Sequence, residues 1–132
     1  MDEAERQFLA KAEEVLTRHA ETYRAEIPAV ILKMDALAQE IETVDSEEAL
    51  ATLKRMAHDM RGQGAMFGLP DFATVATSLS LLLSKGDRKH AHYKAALNFH
   101  IDVLKRLQSE PSDLQVIAQA QHETELVLKD MP

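Results

Sequence analysis

Apolar residues recur at i, i+3 and i+4 along almost the whole chain, and no stretch competes with the two-residue alternation of a strand. Each such segment makes a helix with one sticky face, and those faces have to be buried against one another. Only four glycines and four prolines interrupt the pattern, too few for the frequent turns of an all-β protein. Over residues 2–23, Phe8, Ala12, Val15, Leu16, His19 and Tyr23 share a face. Pro28 marks a boundary, because its ring suits the first turn of a new helix and kinks an old one. A second stripe follows over about 27–43 (Ile27, Val30, Ile31, Met34, Leu37, Ala38, Ile41). Asp45 with Glu48 reads as a capping box for a third helix, which carries Leu50, Leu53, Met56, Ala57 and Met60 inward and ends near Gly68.

Pro70 suits the first turn of a fourth helix, with Phe72, Val75, Ala76, Leu79, Leu82 and Leu83 as its stripe. Gly86 is a stop, and Asp87 the start signal of a fifth helix reaching about Gln108, with Tyr93, Leu97, Ile101 and Leu104 inward. Ser109-Glu110-Pro111 breaks it. Ser112 with Gln115 resembles a cap for a further helix over about 113–129, whose stripe is weaker. Four stripes joined by short links predict an all-α fold: an antiparallel up-down four-helix bundle over about 27–108, with additional N- and C-terminal helices.

The 132 residues suit one domain. A net charge of −7 argues against bulk nucleic-acid binding. The absence of cysteine removes disulfide scaffolds, thiolate metal sites and Cys nucleophiles. The start, Met1-Asp2-Glu3-Ala4-Glu5-Arg6, does not read as a signal peptide. The most apolar window, Gly64 to Leu83, contains Pro70, Asp71 and several hydroxyl residues and makes a poor membrane span. A soluble, cytoplasmic protein with no membrane partner is expected.

The third helix holds an anomaly. Gly62, Gly64 and Gly68 fall within one short stretch, although each glycine inside a helix costs ~1 kcal/mol against alanine. With His58 at 0°, Lys54 falls at about −40°, Arg55 at +60°, Arg61 at −60°, Gly62 at +40° and Ala65 at −20°. Leu53, Met56 and Met60 lie on the far side. His58 is therefore expected to face solvent among three cations, with small residues clearing room for another surface. A neutral imidazole is a good nucleophile near pH 7, and the cations would steady an anion placed on it. The helix offers no carboxylate to orient the ring and no second histidine beside it. The residue reads as an acceptor that is loaded and unloaded by chemistry on a partner.

The run His58-x-x-Arg61-Gly62-x-x-x-x-x-Gly68 resembles the signature of histidine-containing phosphotransfer (HPt) domains, His-x-x-Lys-Gly with a further Gly six residues on. Spacing agrees at all four positions, with arginine in place of lysine. The flanking Leu53-Lys54-Arg55-Met56-Ala57 and Gly68-Leu69-Pro70 are also similar, and the resemblance covers about Tyr23 to Leu107. It implies that Nε2 of His58 accepts a phosphoryl group from an aspartyl phosphate on a response-regulator receiver domain and passes it to another receiver. A hybrid histidine kinase is the implied upstream partner. It implies no cofactor on this chain, with Mg²⁺ on the receiver, and a carrier without kinase activity of its own. Arg61 would take the lysine's place on the phosphoryl oxygens, its fork being suited to phosphate. Lys54, Arg55, Gly62, Gln63 and Ala65 would meet the partner, with Gly68 part of the motif's frame.

Two other readings compete. A helical docking module could bind a signalling partner without phosphate, but would have no need of His58 and Arg61. An enzyme would need convergent carboxylates or paired histidines, which the sequence lacks. His19 and His100 sit near apolar stripes and read as boundary or core residues. The rings of His90 and His92 diverge by about 200° on a helix and suit no joint metal site. Met56, Met60 and Met66 read as core packing.

Overall fold

A computed structural model of the chain describes residues 1–110 and 113–129. Its five helices are α1 (Glu3–Val44), α2 (Glu47–Met66), α3 (Pro70–Lys85), α4 (Tyr93–Leu107) and α5 (Leu114–Leu128). The second half of α1 packs on α2, α2 on α3, α3 on α4, and α4 back on α1, which closes a four-helix ring. α5 lies against α3 and α4. Tyr23, Ile31, Met34, Leu53, Met60, Leu79, Leu82, Tyr93, Leu97, Ile101 and Leu104 fill the centre. These are the residues the helical stripes mark out as inward, so the expected bundle with flanking helices forms.

The boundary expected at Pro28 is not there. α1 runs unbroken through it for 42 residues. Pro28 removes one N–H and with it the bond to the Arg24 carbonyl. It stands on an exposed flank of the helix, however, while Ile27 and Ile31 are buried on either side. Burial of those neighbours holds the helical register across a local penalty. Residues 3–22 are therefore the first half of α1 rather than a separate helix. This half leaves the bundle as an arm: from Met1 to His19 every residue except Ala12 is exposed. Of the expected stripe Phe8 to Tyr23, only Tyr23 is buried.

Two further starts differ from expectation. Asp45 ends α1 in the left-handed region (φ 50°), so capping of α2 passes to Ser46, whose hydroxyl accepts the Ala49 N–H at 3.1 Å. At Asp87 no helix begins. Its carboxylate accepts the Lys89 N–H, the His92 N–H donates to Nδ1 of His90, and the carbonyls of Asp87 and His90 close successive turns. These local bonds compete with helix, and α4 starts only at Tyr93. α5 is capped by Asp113, which accepts the N–H groups of Gln115 and Val116. The cap expected from Ser112 lies outside the described residues.

Gly64 lets two helices approach closely. A Cβ there would meet the Ala73 backbone nitrogen and the Leu69 carbonyl oxygen, each at 3.1 Å. The missing side chain lets the start of α3 lie directly on α2. Gly68 (φ 79°) then makes the reversal between them, a conformation that side chains disfavour.

Candidate functional site

α2 presents two faces of opposite character. Leu53, Ala57 and Met60 are buried on one. His58, Arg55, Arg61, Gly62 and Ala65 are exposed on the other, with Lys54 half-buried at its edge. Six of the eight residues singled out from the sequence thus share one surface. Gln63 is exposed but lies about 140° round the helix from His58. Gly68 stands beyond the helix end.

Along the axis Arg61 is about 4.5 Å and Gly62 about 6 Å from His58. A Cβ on Gly62 would have nothing within 4 Å, so the space above that turn is open. No hydrogen bond or ion pair with another described residue engages His58. Met66, expected in the core, is 68% exposed instead. It is the last residue of α2, where the chain has begun to turn and the neighbouring helix no longer covers it.

On the flank toward α1 the Tyr23 hydroxyl is buried without a hydrogen-bond partner. Burial raises its pKa, and the negative charges of Asp59 and Glu26 raise it further. The Tyr23 and His19 rings both pack on Phe67, which anchors the C-terminal end of α2 to α1.

His100 is the opposite of His58. It is 0% exposed. Its Nδ1 donates to the Ala96 carbonyl at 2.6 Å, which leaves Nε2 to accept from the Ser78 hydroxyl at 2.8 Å, with the Thr124 hydroxyl 3.1 Å away. Those hydroxyls lie 2.9 Å apart, and Thr124 also reaches the Ser78 carbonyl. Burial pushes the His100 pKa down, against the opposing effects of the Ala96 bond and Glu123. A ring with both nitrogens occupied and no exposed atom cannot meet a partner's phosphate. This hub ties α3, α4 and α5 together. The sequence marks His100 as core but not its partners; the one signal is that Ser78 and Thr124 fall on otherwise apolar helix faces.

His92, at the start of α4, pairs with Glu123 of α5. Among the described residues no cluster of three or more His, Asp or Glu could hold a metal ion. No helix among them is long and apolar enough to cross a membrane.

An all-helical bundle displaying one unengaged histidine on a cleared, basic helix face is the architecture of a carrier rather than of an enclosed active site. The Hpt domain family model matches residues 6–122 of the 132-residue chain, and the chain belongs to that family. No curated protein and no solved structure matches it. Membership makes it a histidine phosphotransfer protein: such domains carry a phosphoryl group on histidine within a phosphorelay, do not catalyse turnover themselves, and interact with receiver and kinase domains. The match extends beyond the Tyr23–Leu107 stretch over which the motif resemblance is visible, taking in most of the α1 arm and part of α5.

Proposed function

We propose that His58 is the phosphoryl acceptor and that the exposed face of α2 is where a receiver domain docks. The observation that carries this is the pairing of an accessible, unengaged imidazole with open space over Gly62 and a guanidinium one turn away. In the transfer, Nε2 of His58 attacks the phosphorus of the receiver's aspartyl phosphate. The P–O bond to the aspartate breaks, and its carboxylate leaves with the electron pair. Delivery to the next receiver runs the same exchange in reverse. Such transfer depends chiefly on positioning and charge neutralisation. Arg61 supplies positive charge from this side, and Mg²⁺ in the acidic pocket of the receiver supplies it from the other. Lys54 and Arg55 steer that pocket onto the face, Gly62 and Ala65 let it come close, and Gln63 meets its rim. The partners are response-regulator receivers and a hybrid histidine kinase in the cytoplasm.

The test is incubation with a phosphorylated receiver. The chain gains an acid-labile, alkali-stable label, and His58→Gln abolishes it while the helical circular dichroism stays intact. Undiminished labelling of His58→Gln would move the acceptor elsewhere. Receiver binding without any gain of phosphate by the unaltered chain would favour the docking-module reading.

A further inference from the structure

The α1 arm carries an apolar strip that no other described residue covers. Phe8 is 72% and Leu16 53% exposed, with Leu9 and Val15 also exposed beside them. A helical segment of this length with so few tertiary contacts is only marginally stable in water, and a cluster of large apolar side chains on a helix marks an association surface.

The strip has an internal symmetry centred on Ala12. With Ala12 at 0°, Phe8 stands at about −40° and Leu16 at +40°, Leu9 at +60° and Val15 at −60°, Glu5 at +20° and His19 at −20°. We infer that two copies of this chain associate through antiparallel arms, with the two-fold axis at Ala12. That operation sets Phe8 level with Leu16 of the second copy and Leu9 level with its Val15. Members of each pair lie on opposite sides of the midline, so they interdigitate. The smallest side chain falls where the two helices are closest.

Charge selects the same direction. The tip of the arm is acidic (Asp2, Glu3, Glu5), and its root carries Arg18 and Arg24. Antiparallel pairing brings Asp2 to the same flank as the second copy's Arg24. Parallel pairing would abut the acidic tips. Lys11 and Glu13 stand outside the strip at about 100° on either side and stay in solvent. Strips about 30 Å long and one helix wide make a contact at or below the ~1,200 Å² lower end of specific interfaces. The dimer is therefore a reversible one, dissociating in the micromolar range.

Sedimentation of the full chain over about 1–300 μM should show a monomer–dimer equilibrium. Leu16→Glu should raise the dissociation constant about tenfold or more with helical circular dichroism retained, because the core does not use that residue. The chain has no cysteine, so direction can be read by cross-linking. Under mild oxidation Ala12→Cys should join to itself. Phe8→Cys should not join to itself, its copies being about 12 Å apart along the axis, but should join to Leu16→Cys. A chain that stays monomeric at every concentration overturns the inference, as does unchanged dimerisation of Leu16→Glu. Self-joining of Phe8→Cys overturns the antiparallel arrangement. Weaker receiver binding by Leu16→Glu, with the unaltered chain monomeric, would assign the strip to the receiver instead.

Discussion

Arg61 stands where the family motif has lysine, and its exposure says what it is free to do. It is on the His58 face, and the core does not use it. Arg61→Ala should slow phosphotransfer or shorten the phosphohistidine lifetime while changing stability by no more than about 0.5 kcal/mol. Arg61→Lys should largely restore transfer. Rapid-quench transfer assays alongside thermal melts check both. The neighbouring glycines separate in the same way. At Gly62 a side chain enters open space, so Gly62→Ala should stabilise by up to ~1 kcal/mol through helix propensity. Gly62→Gln should stay folded yet weaken receiver binding, measured by calorimetry. At Gly64 a Cβ would press on two backbone atoms at 3.1 Å. Gly64→Ala should therefore destabilise by about 1–3 kcal/mol, the usual cost of overpacking. The glycine pattern alone shows that small residues are needed in this stretch. It does not distinguish clearance for a partner from clearance for α3, because that depends on which side α3 occupies.

At the scale of elements, α5 is held by the His100–Ser78–Thr124 hub, and this makes its docking sensitive to acid. The unfolded imidazole takes up a proton near its ordinary pKa of 6.5, whereas the buried ring resists it. The unfolded state thus binds more protons in that range, and stability falls as pH falls. The contribution is fully present above about pH 6.5 and is lost as pH drops through the lowered folded pKa. Glu123, itself paired with His92, favours the charged ring. Urea melts between pH 7.5 and 5 should show the decline. His100→Leu should be less stable at pH 7.5 by about 1–2 kcal/mol, since it removes the buried acceptor of the hub and leaves the Ser78 and Thr124 hydroxyls only each other and nearby carbonyls, and its pH slope should be shallower. A slope equal to that of the unaltered chain would show that His100 is not the titrating group. Helix existence was legible from periodicity in all five cases. Helix ends were less so: Asp45 and Asp87 are good caps by type, but Asp45 ends α1 in the left-handed region and Asp87 accepts the Lys89 and His90 N–H groups within a turn.

For the whole molecule, the ring of four helices carries the stability and the arm does not. At concentrations where copies are apart, Leu16→Ala should shift the unfolding free energy by less than about 0.5 kcal/mol, whereas Leu97→Ala, fully buried, should cost about 2–5 kcal/mol. Chemical denaturation of both variants tests that division. The apolar period alone determined that the chain is helical, which face of α2, α3 and α4 turns inward, and that His58 stands opposite Leu53 and Met60. These are local facts, set by the 3.6-residue repeat and by where water would be excluded. The family motif was legible for the same reason, being a spacing on one helix. Only the tertiary structure decided that α1 continues through Pro28, that the Phe8–Leu16 strip stays exposed among the described residues, that Gly64 rather than Gly62 is the packing glycine, and that His100 is locked by Ser78 and Thr124. Each of those depends on which helix lies alongside at a given level, and contact between distant segments leaves no periodic signal in either segment alone.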